Sequence, residues 1–142
     1  MSEIPEIIEG GEHHDTRGRL TFFNAFDMKV VRRFYMIEHP DTTIVRGWQA
    51  HKKEQKWFYV MKGSFKIVIV KPGEWAADFE KLKPEEFTLS NDDNKLLHIP
   101  GGYANGFQAL EPHSKLMVFS DFGIEQAGTD EYRFSKDLWY NW

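Results

Sequence analysis

Residues 46–56 form a polar stretch in which an amide, an imidazole and several cations follow one another at short spacing. If the stretch is a β-strand, its side chains alternate between two faces, and Gln49 and His51 share one face. Where that face is the interior of a barrel, both groups enter an otherwise apolar cavity, and His51 can exchange a proton near neutral pH. Where it is the barrel rim, both groups simply contact water, which is the more common explanation for an isolated histidine.

A second stretch, residues 98–107, joins the turn Pro100-Gly101-Gly102 to small and aromatic residues. Glycine lacks a Cβ atom, so the backbone at such a turn can approach a ligand closely. An ordinary tight turn is an equally simple explanation, because Gly and Pro are the commonest turn residues.

The elements that must position these residues are short strands. Turn signals recur at short intervals, and the runs between them are rich in β-branched and aromatic residues, which predicts an all-β sandwich or barrel. Residues 56–62 and 64–71 are predicted to form a hairpin around Gly63, and residues 74–83 at most a short helix that ends before Pro84. The predicted strands are 19–26, 32–38, 43–50, 55–62, 64–71, 85–90, 94–99, 104–110 and 115–122.

Composition limits the classes of function. The chain has 142 residues, the size of one domain, and its 15% aromatic content excludes intrinsic disorder. A net charge of −4 argues against a nucleic-acid partner, and no apolar run is long enough to span a membrane. The absence of cysteine excludes disulfides, thiolate metal sites and cysteine nucleophiles. Because the N-terminus lacks a secretory signal, we expect one cytoplasmic domain, residues 1–142.

Four segments match motifs of one family. Asp15-Thr16-Arg17-Gly18 is similar to an Asp-x-Arg-Gly start of the first long strand, and Lys56 precedes Gly63 by seven residues. Arg46-Gly47-Trp48-Gln49-Ala50-His51-Lys52 is similar to Arg-Gly-x-His-Ala-His-Lys. Ile99-Pro100-Gly101-Gly102-Tyr103-Ala104-Asn105-Gly106-Phe107 is similar to Ile-Pro-x-Gly-Phe-Ala-His-Gly-Phe. Over residues 12–142 the chain therefore resembles the sugar-nucleotide branch of the cupins, the dTDP-4-dehydrorhamnose 3,5-epimerases and dTDP-sugar 3,4-ketoisomerases.

The resemblance implies a cupin-type double-stranded β-helix, or jelly roll, and proton transfer beside the keto group of a nucleotide-linked 4-keto-6-deoxy sugar. In the family a first-motif histidine is the base, and a lysine or other donor lies near the keto oxygen. A tyrosine can return a proton from the opposite ring face, and arginines hold the diphosphate. This chain has Gln49 at the base position, Asn105 in place of the second-motif histidine, and Val118 or Phe122, depending on register, near the tyrosine position.

Three groups can restore proton transfer: His51 as base, Lys56 as electrophile at the keto oxygen, and Tyr103 as proton donor. Because neither Gln nor Asn titrates near pH 7, a cupin that binds a sugar nucleotide or carbohydrate without reacting remains an open alternative. A cupin for small molecules unrelated to sugars is a weaker one. Substrate contacts are expected from Arg17, Arg33, Arg46, Gln49 and Asn105.

No metal or other cofactor is expected. In the first motif His51 and Glu54 supply one imidazole and one carboxylate, fewer than the usual three protein ligands. His13 and His14 are adjacent on a predicted strand, so their side chains point to opposite faces.

The resemblance also implies a homodimer that takes part in surface polysaccharide synthesis. Residues 3–9 can either exchange between subunits or form an edge strand of their own barrel. Residues 138–142, Leu-Trp-Tyr-Asn-Trp, are too apolar to remain in water and are expected to dock on the barrel or on a partner.

Overall fold

The structure is a computed structural model that describes residues 4–73, 75 and 82–142. Its regular elements are strands, with two short 3-10 helices at Met28–Val30 and Ala127–Asp130, which confirms the all-β prediction. The short helix predicted over 74–83 falls largely outside the described residues. In chain order the strands are β1 (Glu6–Glu9), β2 (Gly11–Asp15), β3 (Gly18–Phe22), β4 (Arg33–His39), β5 (Val45–His51), β6 (Lys56–Lys62), β7 (Ser64–Val70), β8 (Glu85–Ser90), β9 (Lys95–Ile99), β10 (Tyr103–Ala109), β11 (Ser114–Ser120) and β12 (Tyr132–Arg133).

Two five-stranded antiparallel sheets build the barrel. The first sheet has the order β1-β9-β6-β11-β4, and the second has the order β12-β5-β10-β7-β8. Strands β2 and β3 form a separate hairpin. Residues 6–9 pair with β9 of the same chain, so this N-terminal segment is an edge strand of its own barrel.

The hairpin predicted around Gly63 is wrong. Strand β6 pairs with β9 and β11 in the first sheet, whereas β7 pairs with β8 and β10 in the second. Gly63 is the one residue between them, with φ of +74°, and a Cβ atom there would overlap the hydroxyl of Ser114. Only glycine fits this corner, where the chain crosses from one sheet to the other.

The core fills the space between the sheets. Inward residues of β6, β7, β10 and β11 are almost fully buried, among them Phe58, Ile67 and Leu116. Burying such a side chain contributes about 1.5–3 kcal/mol, so this layer is a major source of the stability of the barrel. Because side chains alternate along each strand, the residues buried in this layer show which positions of the strand face inward.

A second apolar cluster covers the outer face of the second sheet. The ring of Trp48 packs against Trp139 and Trp142, with centroids 5.4 and 5.6 Å apart. Trp48 Nε1 also donates a hydrogen bond to the carbonyl of Leu138 at 2.9 Å. The aromatic residues 138–142 thus dock on their own barrel. Arg133 and Phe134, which precede them, line the cavity described below.

Candidate functional site

A cavity of about 450 Å³ lies between the two sheets. Strands β4, β6 and β11 form one wall, and β5, β10 and the C-terminal segment form the other. The wall combines apolar surface with a small number of polar groups, as ligand sites usually do. Its lining residues are Tyr35, Ile37, Val45, Arg46, Gly47, Trp48, Gln49, Lys56, Phe58, Asn105, Phe107, Val118, Arg133 and Phe134.

Three polar side chains meet in this wall. Lys56 Nζ donates hydrogen bonds to Gln49 Oε1 at 2.9 Å and to Tyr35 Oη at 3.1 Å. Gln49 Nε2 donates in turn to Glu131 Oε1 at 2.7 Å. Lys56 is only 4% exposed, and no carboxylate of the described residues lies within 4 Å of its ammonium group. The cavity therefore contains a buried cation bonded to neutral groups, which suits a ligand oxygen that carries or gains negative charge.

Asn105 faces Gln49 across the β5–β10 pair. The two residues are register partners, and Asn105 Nδ2 donates to the carbonyl oxygen of Gln49 at 3.3 Å. A register shift between Asn105 and Phe107 interrupts the ladder at this point. The structure thus brings Asn105, Gln49 and Lys56 together, as the sequence predicts, although none of the three contributes an imidazole.

His51 shares the inward face of β5 with Gln49 but is not one of the residues that line the cavity. Its Nδ1 lies 2.8 Å from the carbonyl oxygen of Asp130, which can only accept, so the ring carries its proton on Nδ1. Nε2 is buried and has no hydrogen-bond partner among the described residues. Burial, with a smaller effect of Lys56, lowers the pKa of His51, so the imidazole is neutral at pH 7.

The turn that follows β5 is organised by one carboxylate. Asp130, which is 6% exposed, accepts hydrogen bonds from the backbone N–H groups of Lys52, Lys53 and Glu54 at 2.9, 2.7 and 2.8 Å. Burial alone would raise the pKa of Asp130, but these hydrogen bonds outweigh it and lower the pKa. The carboxylate is therefore ionised and fixes the turn directly after His51.

Glu54 is a second buried carboxylate, 2% exposed. Its Oε2 accepts a hydrogen bond from Ser120 Oγ at 2.6 Å and lies 3.4 Å from Arg33 Nη2. Its Oε1 lies 3.4 Å from His51 Nδ1. The negative charge thus faces the protonated nitrogen of the imidazole and not Nε2.

Arg46 lines the cavity and is held by a buried histidine. Its Nε donates to His39 Nε2 at 3.2 Å, and the His39 ring stacks on Phe107 with centroids 5.7 Å apart. Burial, and then the charge of Arg46, lower the pKa of His39, so the ring stays neutral and can accept this hydrogen bond. Arg46 is the predicted substrate-binding arginine that the structure places in the wall.

The other two predicted arginines lie elsewhere. Arg33 stacks over Tyr35 at 5.1 Å, and its Nε donates to the carbonyl of Phe122 at 3.0 Å, so it supports the cavity without lining it. Arg17 lies on the β2–β3 hairpin with 86% of its side chain exposed, paired with Asp15. Within one chain it is therefore not a residue of the cavity wall.

The residues considered for the position of the proton donor lie at different distances from the cavity wall. Tyr103 begins β10 opposite His51 in register, and Lys71 Nζ lies 5.7 Å from its ring centroid, but Tyr103 does not line the cavity. Val118 lines the wall, whereas Phe122 lies beyond the end of β11. Of these two residues, Val118 is the one that lines the cavity, and its side chain cannot transfer protons.

Tyr35, Arg133 and Phe134 are among the lining residues that sequence reasoning missed. Tyr35 had a usable signal, because it shares one face of the predicted strand 32–38 with the candidate residue Arg33. Arg133 had none, since it lies in a two-residue strand within an irregular C-terminal segment. With Arg46 and Lys56, it gives the cavity three cationic groups.

The part of the chain that the structure describes contains no cluster of three or more His, Cys, Asp or Glu side chains arranged to hold a metal ion. In the same residues there is no helix long and apolar enough to cross a membrane.

Two facing antiparallel sheets around a polar cavity form a cupin-type jelly roll, and comparison with solved structures shows the same fold. The chain is similar to the RmlC epimerase of Mycobacterium tuberculosis, with a TM-score of 0.78 and 19% identity over 99% of this chain and 74% of that one. The WlaRB TDP-quinovose 3,4-ketoisomerase of Campylobacter jejuni gives a TM-score of 0.71 and 21% identity over 99% and 100%. A variant of the 3,4-ketoisomerase QdtA from Thermoanaerobacterium thermosaccharolyticum, in complex with TDP-4-keto-6-deoxyglucose, gives 0.71 and 24% over 94% and 90%.

The sequence model of one family matches residues 1–136. The chain belongs to the WxcM-like C-terminal (FdtA) family. A search of curated protein sequences finds no match. At these identities the solved structures establish the cupin jelly-roll fold.

Proposed function

We propose that this protein binds a nucleotide-linked 4-keto-6-deoxy sugar and moves a proton beside its keto group, as a 3,5-epimerase or a 3,4-ketoisomerase. The observation that carries the proposal is the buried Lys56 ammonium, bonded to Tyr35 and Gln49 inside the cavity. Enolisation places negative charge on the keto oxygen, and a preorganised cation in a buried site stabilises that charge most effectively. Membership of the FdtA family and the activities of the similar structures support the same class of substrate.

The proposed roles follow from the protonation states. His51 is neutral with Nε2 unprotonated, so this nitrogen takes the proton from the carbon beside the carbonyl while Lys56 donates to the keto oxygen. In the ketoisomerase reaction the carbon-bound proton is added to the carbon that carried the keto group, and the proton of the neighbouring hydroxyl passes to the former keto oxygen. In the epimerase reaction the proton returns to the opposite face of the same carbon. Tyr103 is the donor proposed from sequence, and Tyr35, whose hydroxyl already contacts Lys56, is the donor proposed from the structure.

Binding of the nucleotide part requires cations at the cavity. Arg46 and Arg133 are the guanidinium groups in the wall and are proposed to contact the diphosphate. Gln49 and Asn105 are proposed to hydrogen-bond sugar oxygens. We also propose that the reaction is cytoplasmic, serves surface polysaccharide synthesis and uses no metal cofactor.

One observation favours a second function, binding without reaction. The family resemblance implies imidazoles at two positions that are here Gln49 and Asn105, both in the wall, while His51 does not line the cavity. A protein of this kind would keep the hydrogen bonds to the sugar and lack the base. Gln49→His then creates or strongly raises activity, because it returns an imidazole to the wall.

The deciding experiment is proton NMR of dTDP-4-keto-6-deoxyglucose in deuterium oxide with the protein. Loss of the C3 or C5 proton signal supports the enzyme and identifies the carbon that reacts. His51→Gln should reduce that exchange about 10²–10⁴-fold, the usual contribution of a general base. The control is His113→Asn, which changes a histidine with a 63% exposed side chain. Line broadening without loss of signal would support binding alone, and neither effect would refute both functions.

We also propose that two copies associate through the outer face of the first sheet. Phe34 and Met36 on the edge strand β4 are 59% and 53% exposed, and Met28 and Val30, in the 3-10 helix that precedes this strand, are each 51% exposed. A single chain rarely leaves such a patch in water. Sedimentation should give a dimer that Phe34→Lys dissociates, and a monomeric wild type would refute this part of the proposal.

A further inference from the structure

The connection between His51 and the C-terminal segment is more specific than packing requires. Asp130 contacts the end of β5 with two different groups: its carboxylate holds the backbone N–H groups of residues 52–54, and its carbonyl oxygen accepts from His51 Nδ1 at 2.8 Å. The hydrogen bonds of the carboxylate thus fix the position of the Asp130 carbonyl beside the His51 ring. One residue sets both the path of the turn and the direction of the ring.

We infer that Asp130 is the positioning residue for His51, holding the imidazole in the Nδ1–H form so that Nε2 is the nitrogen that accepts a proton. The inference about the ring stands on geometry alone, and its consequence for rate rests on the proposed function. Asp130 is not one of the residues that line the cavity, so we assign its effect to His51, which it holds directly.

Other charged groups near the ring do not explain the arrangement equally well. Glu54 Oε1 lies 3.4 Å from Nδ1 without forming a hydrogen bond, and its other oxygen is used by Ser120. Lys56, and Glu131 beside Gln49, act on the ring only through their charges. The carbonyl of Asp130 is therefore the group that decides which nitrogen carries the proton.

The first test measures the ring of the wild-type protein, and a His51→Gln variant serves only to assign its signal. Nitrogen-15 NMR of protein labelled at histidine reports the tautomer of His51, which Gln replacement of that residue assigns. We expect a neutral ring protonated at Nδ1, with a proton that exchanges slowly with water because the side chain is buried and bonded. A ring protonated at Nε2 would overturn the inference.

The second test compares Asp130→Asn with the matched control Asp137→Asn, whose side chain is 84% exposed on the same C-terminal segment. Asp130→Asn should accelerate exchange of the Nδ1 proton at least about tenfold, with kcat reduced about 10–100-fold and KM nearly unchanged. Asp137→Asn should change neither. A protected Nδ1 proton in Asp130→Asn, or its loss in Glu54→Gln instead, would contradict the assignment.

Two further outcomes are informative. If the tautomer and its dependence on Asp130 are as expected but the wild type exchanges no substrate proton, the proposed function fails and the positioning role stands. If Asp130→Asn does not fold, Asp130→Glu keeps the charge and displaces the carbonyl by one methylene, and it should still weaken protection of the Nδ1 proton. Failure of both variants to fold would show that the carboxylate serves the barrel and would overturn the inference.

Discussion

Replacing Lys56 by Met should change stability and function in opposite directions. The ammonium group is 4% exposed and is bonded to Tyr35 and Gln49, neither of which is charged. Removing a buried charge in favour of an apolar side chain of similar length commonly stabilises by about 1–4 kcal/mol. Loss of the donor to two partly accessible oxygens offsets about 1 kcal/mol of this. We therefore expect a net gain of up to about 3 kcal/mol, with about 1–2 kcal/mol as the middle of the range.

The same substitution should reduce the catalytic activity. If Lys56 stabilises charge on the keto oxygen, its loss should reduce kcat about 10²–10³-fold, as removal of one donor to a reacting oxyanion does elsewhere. For a domain of this size, 1–2 kcal/mol corresponds to a rise in Tm of roughly 2–8 °C. Calorimetry and the exchange assay, carried out on the same preparation, measure the two effects.

The matched control is Lys62→Met, which removes an exposed lysine from the last position of the same strand. It should leave both Tm and exchange essentially unchanged. A Lys56→Met variant that is less stable than the wild type, or that retains full activity, would refute the reasoning, because the lysine would then be a structural group.

Three further predictions concern the rest of the chain. Gly106→Ala should lower the free energy of unfolding by about 1–3 kcal/mol, because a Cβ atom would lie 2.8 Å from the ring of Trp142; relief by Trp142→Ala in urea unfolding checks the cause. Arg133→Gln should weaken dTDP binding about tenfold in calorimetry and leave Tm nearly unchanged, since its side chain is 70% exposed. Lowering the pH below about 6.5 should reduce the urea midpoint, and a constant midpoint would contradict this. Burial lowers the pKa of His39, His51 and His98 in the folded protein. The unfolded chain therefore binds protons more readily, and stability is lost as the pH falls from about 6.5 through the folded pKa values.

Most strands could be predicted because turns and β-branched residues are local signals. The predicted strand 85–90 coincides with β8, whereas the predicted strand 19–26 ends at Phe22 in the structure. Which strands pair with each other was harder to predict, because the alternation of polar and apolar side chains indicates the two faces of a strand but not the strands beside it. The wrong hairpin around Gly63 shows this: both strands exist, but a one-residue corner places them in different sheets.

The candidate site was predictable where a motif and its register coincide. Gln49 and Asn105 lie in separate motifs, and their strands pair so that the two residues face each other. Tyr35 and Arg133 belong to no motif, and they enter the wall only because distant segments of the chain close around it. Asp130 likewise acts through a backbone carbonyl, a group that every residue has and that no sequence pattern distinguishes.

The corner at Gly63 has a consequence for synthesis of the chain. Strands β4, β5 and β6, which supply much of the cavity wall, pair among the described residues only with β9, β10, β11 and β12. A nascent chain that has released its first eight strands therefore exposes unpaired edges and has no cavity, and such edges promote aggregation. Folding must wait for the last third of the polypeptide and should be slow, as it is for other topologies dominated by distant contacts. The binding site and the folded barrel should consequently appear in the same kinetic step.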